Sequence, residues 1–305
     1  MPRSSYVLAA LAAAAVPEID VRSVRVVSAP AGCDAAVITD GDGHEWVVRA
    51  PSTVRAGVAL EAEMTLLESL EIFREEGKVE FEVPHIAGWA DLPEGGRVVV
   101  HKPLPGVPVD PGTLRPGPGP AAEIARTIAS IHELPSGFIE AAGLPVYNAA
   151  ECQQRHVSEI DEAAATGKVP AALLRRWEAS LENVALWRFQ PVPIHGDVAP
   201  ENVLMRGGGV AAITGWGEAR LADPAEDLAW LVASAPAEVT DTFLEAYQMR
   251  RSEMRDPHFA ERIHLLGELA LAQWLLYGVR SSQDDVVNEA VAMLEELSEA
   301  VADGG

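Results

Sequence analysis

Ile194-His195-Gly196-Asp197-Val198-Ala199-Pro200-Glu201-Asn202-Val203-Leu204 is the stretch that decides how this chain is read. It places an acid, Asp197, and an amide, Asn202, five residues apart between apolar anchors. Transfer of a phosphoryl group from a nucleotide to a hydroxyl asks little covalent chemistry of a protein. It needs a carboxylate to accept the hydroxyl proton and oxygen ligands for magnesium. An Asp-x-x-x-x-Asn spacing supplies both from one loop. So short a pattern also arises by chance, and its neighbours decide.

Downstream lie a glycine turn, Gly207 to Gly209, and an apolar strand, Val210 to Ile213. Then come Gly215-Trp216-Gly217-Glu218-Ala219-Arg220 and Asp223-Pro224-Ala225-Glu226-Asp227-Leu228-Ala229. Upstream, Ala125 to Pro135 holds Ala129, Ile131, His132 and Pro135. In order and spacing these segments resemble the aminoglycoside phosphotransferase superfamily. Its pattern is an HGD loop ending in Asn, a hairpin, an Ile-Asp-Trp-x-x-Ala segment and a DPxxDLA helix start, with an earlier helix ending Leu-His-x-x-Pro. The Trp-Gly-Glu-Ala-Arg wording, with Arg49 where most kinases have Lys, is similar to the macrolide 2′-phosphotransferases. The resemblance covers nearly the whole chain.

The resemblance implies an α+β, protein-kinase-like two-lobe fold, with a small β-rich N-lobe carrying one helix and a larger, mainly helical C-lobe. It implies residues 1–104 as a nucleotide-binding lobe, with a hinge at His101, Lys102 and Leu104 offering backbone bonds to the base, and residues 105–305 as the lobe of the catalytic loop and substrate pocket. Asp197 becomes the catalytic base, Asn202 a ligand of Mg²⁺, and His195 and Asp227 structural support. Arg49 would face phosphate and pair with Glu63, under a phosphate-covering turn at Ala29 to Ala36. The implied activity is transfer of the γ-phosphate of GTP or ATP to the 2′-hydroxyl of a macrolide, an antibiotic-resistance reaction of a cytoplasmic monomer. Trp274 and Tyr277, on a late apolar helix, suit a greasy lactone, although a core helix looks the same.

Gly215 breaks the pattern, since the family has there the Asp that binds magnesium between two phosphates. A glycine offers only its backbone. Three explanations stand: an inactive relative that still binds nucleotide or drug, a missing oxygen supplied by Glu218 or Asp197, or an introduced change. An Asp is expected to fit at this position unless the backbone there takes an angle that only glycine tolerates. Enzyme and non-catalytic binding module therefore both remain open.

Each residue also has a plainer reading. Glu61 and Glu63 fit a solvated helix face. His195 reads as a structural histidine rather than a ligand. Asp223 is better placed than Asp227 to cap a helix after Pro224. Trp216 and Trp230 suit a core, and Asp197 could be a buried loop acid.

The rest of the chain agrees with a globular protein of two parts. Apolar residues make up 48% and charged residues 23% of 305, which excludes disorder. With 23 Lys and Arg against 46 Asp and Glu, the formal charge is −23, so nucleic acid is not an expected partner. Two cysteines, Cys33 and Cys152, are too few for a disulfide framework. The start, Arg3 followed by Tyr6 to Val16, reads as an Ala/Leu helix stopped by Pro17, or as a weak leader. No later run is long and apolar enough to span a membrane.

β-Branched clusters between Val21 and Val48 predict antiparallel strands, and a helix spans Val58 to Phe73. Strands follow at Val79 to Val83 and Arg97 to Val100. The Pro- and Gly-rich connector Pro103 to Pro120 precedes amphipathic helices at Ile124 to Ile131, Leu173 to Trp187, Leu265 to Leu276 and Val287 to Leu297.

Overall fold

The computed structural model describes residues 2–27, 29, 32–252 and 256–303. Pro30 and Ala31, in the turn expected to cover phosphate, lie outside the described residues. In chain order the first elements are α1 (Ser5–Ala15), β1 (Val21–Val27), β2 (Cys33–Asp40), β3 (Glu45–Pro51), α2 (Val54–Glu75), β4 (Ile86–Asp91), β5 (Arg97–His101) and β6 (Val107–Pro108). Next come α3 (Pro120–His132), α4 (Gly137–Ala141), α5 (Ala149–Ala165), α6 (Ala171–Glu182), β7 (Val192–Ile194), β8 (Val203–Arg206), β9 (Gly209–Ile213) and β10 (Arg220–Ala222). The chain ends on α7 (Glu226–Ser234), α8 (Thr240–Arg250), α9 (Phe259–Ser281) and α10 (Asp284–Asp303).

One compact unit comprises Met1–Val109, Gly137–Leu144 and Glu201–Ala219. Its main sheet has the order β1-β2-β3-β5-β4, every neighbouring pair antiparallel. Asp40 closes the β2–β3 hairpin: one carboxylate oxygen accepts the N–H groups of Asp42 and His44, and the other accepts the Trp46 indole N–H. Because side chains alternate along a strand, Ala36, Ile38, Val48, Ala50, Val98 and Val100 share one face, where Leu8, Ala12 and Val16 of the first helix cover them. Arg49 and Val99 belong to the other face, which α2 covers.

The N-terminal segment is thus part of this unit's core. Arg3 anchors it: the guanidinium bonds Asp34 at 3.0 Å and the carbonyl of Pro51 at 2.8 Å. Gly88 on β4 leaves the room that the helix end needs, since a Cβ there would lie 2.2 Å from the Ala15 carbonyl oxygen.

Two sequence expectations need correction. Val79 to Val83 is not a strand: Val79, Phe81 and Val83 are buried, but only Glu82 pairs, bridging to Ala212. The strand lies later, at β4, whose Ile-Ala-Gly-Trp-Ala-Asp sequence lacks a β-branched run. The connector is not wholly irregular either, since β6 pairs with β8 and Asp110 caps a 3₁₀ turn at Pro111–Thr113.

The second unit comprises Asp110–Ser136, Pro145–Pro200 and Arg220–Gly305, and is mainly helical around the two-stranded antiparallel ladder β7–β10. α5 starts with a capping box, Asn148 accepting from the Glu151 N–H while Glu151 accepts from that of Asn148. The expected helix from Leu173 stops at Glu182 and buries Leu173, Trp177 and Leu181. No described helix is long and apolar enough to cross a membrane.

Truncating Leu8, which is fully buried, should cost about 2–5 kcal/mol of unfolding free energy. Tyr6→Ala, at an 86% exposed position, should leave stability nearly unchanged. Urea titration of both variants checks this, and a Leu8→Ala variant as stable as the parent would show that the first helix is not core.

Candidate active site

The Asp197 loop begins where β7, buried along its length and paired with β10, runs out at Ile194. Asp227 lies in the first turn of α7, only 1% exposed, and points its carboxylate at this loop. One oxygen accepts the His195 backbone N–H at 2.8 Å and the Nε2–H of His132 at 3.0 Å. The other accepts the Gly196 N–H at 2.8 Å. Gly196 has φ +81°, a left-handed conformation that suits glycine and sets consecutive N–H groups on one acceptor. The His195 ring, itself fully buried, accepts the Asp197 N–H at Nδ1, 3.2 Å away. Asp197 is exposed at the end of this framework, so the plain reading of it as a buried loop acid does not hold.

Asp227 is therefore not a helix cap. Asp223 takes the local role, accepting the Ala225 N–H at 2.9 Å. Burial alone would raise the pKa of Asp227, but the hydrogen bond from His132 and that from the Gly196 N–H hold it below the ordinary carboxylate value. Burial in turn pushes His132 below its ordinary value, against the pull of Asp227. The imidazole is thus neutral, with its proton on Nε2 facing Asp227 and Nδ1 accepting from the Tyr247 hydroxyl at 2.7 Å.

In the first unit, Arg49 on β3 and Glu63 on α2 form a bidentate pair, with both N···O distances 2.8 Å. Glu63 is 1% exposed, which sets aside its reading as part of a solvated face; Glu61 does face solvent. Burial opposes the charge on Arg49, and Glu63 more than offsets this, keeping its pKa above the ordinary value. Removing either partner of such a pair typically costs about 3–5 kcal/mol, because the other charge is left buried and alone. Arg49 Nε is buried and has no hydrogen-bond partner. His101 ends β5, is buried, and donates from Nδ1 to the Lys102 carbonyl at 2.8 Å. Burial, with Arg49 nearby, lowers its pKa, so it too is neutral. Lys102 is exposed and Leu104 half-buried.

Asn202 and Gly215 meet across the mouth of the β8–β9 hairpin. Val203 pairs with Ile213, and one step further the Thr214 N–H donates to the Asn202 carbonyl at 3.0 Å. Gly215 has φ +80° and ψ +35°, and a Cβ built on it would lie 2.5–2.6 Å from Oδ1, Nδ2 and Cγ of Asn202. The expectation that an Asp simply fits here is corrected. The left-handed backbone is one that Asp tolerates better than most residues, but the Asn202 amide occupies the space its side chain would enter. The residues present do not make the two-oxygen magnesium site of the family: 215 brings no carboxylate, and the one amide lies against the glycine. Trp216 is core, 1% exposed and stacked on Phe81 at 6.0 Å.

On α9, Leu275 and Leu276 are buried, whereas Trp274 and Tyr277 are exposed and stacked on each other at 5.2 Å. The expected apolar stripe thus splits into a core side and an outward aromatic pair. Sequence reasoning missed Arg262, a fully buried cation held by Asp223 through two contacts of 2.7 and 3.0 Å and by Asp256 at 2.7 Å. Its signal was its spacing, three or four residues from Phe259, Leu265 and Leu266 on the apolar face.

A β-sheet unit and a helical unit with a carboxylate-held HGD loop define a kinase-like fold. Residues 25–262 match the family model described as APH, phosphotransferase enzyme family, and the chain belongs to that family. Over 133 residues it is 26% identical to the uncharacterized protein YcbJ of Bacillus subtilis (strain 168), a match spanning 42% of this chain and 44% of that relative's length. The crystal structure of macrolide 2′-phosphotransferase MphH from Brachybacterium faecium, as the apoenzyme, is similar with a TM-score of 0.74 at 23% identity, covering 94% of this chain and 96% of that one. The GDP complex of wild-type aminoglycoside 2′-phosphotransferase-IIIa gives a TM-score of 0.81 at 19% identity, covering 98% and 99%. At these identities the likeness is one of fold.

The neutral, buried His132 makes stability depend on pH in a stated direction. Its folded pKa lies below 6.5, so as pH falls through that value the unfolded chain takes up a proton first and stability drops. His132→Gln should make the decline between about pH 7 and 5 shallower, by up to about 1.4 kcal/mol per pH unit. Urea unfolding across that range checks it, and equal slopes would mean that His132 is not held neutral.

Proposed function

We propose that this chain is a small-molecule kinase that transfers the γ-phosphate of GTP or ATP to the 2′-hydroxyl of a macrolide. The observation that carries this reading is Asp197, an exposed carboxylate at the end of a loop whose backbone is held by Asp227. Asp197 accepts the proton as the sugar hydroxyl oxygen attacks the γ-phosphorus in line, and the bond to the nucleoside diphosphate breaks. Arg49, kept charged and oriented by Glu63, answers the phosphate charge, and the backbone at His101, Lys102 and Leu104 receives the base. Asn202 offers one side-chain oxygen for a cation, and magnesium enters this reading only as the nucleotide's own counter-ion.

The wording around Arg49 and Trp216 supports a macrolide acceptor, as does the likeness to MphH. The GDP in the related aminoglycoside enzyme supports a guanine nucleotide. The stacked Trp274 and Tyr277 suit an apolar lactone. Such a protein would act as a cytoplasmic monomer and confer resistance to the antibiotic.

Gly215 favours a second reading, a relative that binds nucleotide or macrolide without turnover. Mass spectrometry after incubation with magnesium, GTP and erythromycin separates the two. The kinase reading predicts a macrolide heavier by one phosphoryl group and a rate about 10²- to 10⁴-fold lower in Asp197→Asn. Product formation unaffected by that substitution would remove Asp197 from the mechanism. Nucleotide binding with no product from the parent protein would favour the second reading.

A further inference from the structure

A loop held by one carboxylate is only as well placed as that carboxylate. Asp227 meets the ring of His132, the last residue of α3, and His132 is gripped in turn by α8. Three bonds run from the end of α8 and the two residues after it to positions 132 and 133. The Tyr247 hydroxyl meets His132 Nδ1 at 2.7 Å, the Arg251 guanidinium donates to the His132 carbonyl, and the Ser252 N–H donates to the Glu133 carboxylate at 3.1 Å. Arg251 satisfies a carbonyl at a helix end, as a basic residue commonly does. Of the three, only Tyr247 acts on the imidazole itself.

The imidazole needs that contact. A neutral histidine carries one ring proton, and the bond made by one nitrogen sets which of the two holds it. With the proton on Nδ1, a lone pair at Nε2 would face the Asp227 carboxylate 3.0 Å away. With the proton on Nε2, Nδ1 requires a donor, because the side chain is fully buried and water cannot serve. Tyr247 supplies it. The phenol is itself fully buried, and burial pushes its pKa well above the ordinary value, so the hydroxyl keeps its proton. Stacking on Phe259 at 5.0 Å and an edge contact with the imidazole at 5.5 Å fix the phenol ring. A donor on Nδ1 also polarises the imidazole and strengthens the bond from Nε2–H to Asp227.

We infer that Tyr247 is a positioning residue for Asp197, acting through His132 and Asp227 on the backbone of residues 195 and 196 from a site that no substrate touches. Its effect on the loop stands on these bonds alone; its effect on rate rests on the proposed kinase function.

Tyr247→Phe tests this, because it removes the hydroxyl and keeps the stacked ring. In amide hydrogen exchange followed by NMR, His195 and Gly196 should speed up at least about tenfold relative to the amides of β7. Phe243→Leu is the control: it trims a buried ring one turn earlier on α8, leaves the chain of bonds in place, and should speed all these amides together. With magnesium, GTP and erythromycin, Tyr247→Phe should lower kcat about 10- to 100-fold and leave the KM for GTP within about twofold. An exchange ratio unchanged in Tyr247→Phe, or shifted as far by Phe243→Leu, would overturn the inference, as would a kcat equal to the parent's. If the parent makes no product, the kinase reading falls and the exchange ratio alone decides whether Tyr247 positions the loop.

Discussion

A single buried carboxylate sets the geometry on which the candidate chemistry rests. Asp227 accepts from two consecutive backbone N–H groups and from a neutral imidazole, and the loop that ends in Asp197 follows from those bonds. Hydrogen bonds to a charged group contribute roughly 1.5–3 kcal/mol each, while burying the charge costs several kcal/mol. These terms nearly offset one another, so the arrangement gives little net stability. Its effect is on conformation, since it turns the N–H groups of residues 195 and 196 toward one carboxylate. Gly196 follows from the same demand, as does His132, whose other ring nitrogen is engaged by Tyr247.

The first unit shows a different balance. Its charged pair, Arg49 with Glu63, is complete and buried, so a fixed positive group is retained. Its hairpin, by contrast, carries a glycine where the family pattern has a carboxylate, and the neighbouring amide has closed on it.

Much of this was legible in the sequence because it is local. The HGD loop, the helix start at Asp223 to Ala229 and the helix ending at His132 are short segments whose spacing carries their geometry. Glu63 was legible only through the resemblance, since read alone it suited a solvated face; its place three residues after Leu60 and four before Leu67 nevertheless puts it on the buried side of α2. What escaped depends on partners far along the chain. β4 has few β-branched residues and is a strand because β5 pairs with it, and Gly88 in its middle makes sense only beneath the end of α1. The closing of Asn202 on Gly215 requires the register of β8 against β9, which no spacing in the sequence states. Arg262 lies among apolar residues because Asp223 and Asp256 meet it.

The central claim is that Asp227 holds the backbone of the loop that ends in Asp197, and amide hydrogen exchange followed by NMR at His195 and Gly196 tests it most directly. The account predicts that these two amides exchange slowly, near the limit set by global unfolding, and that both become fast in Asp227→Asn while the amides of β7 stay protected. Rapid exchange at His195 and Gly196 in the parent protein, or protection unchanged by the substitution, would contradict it.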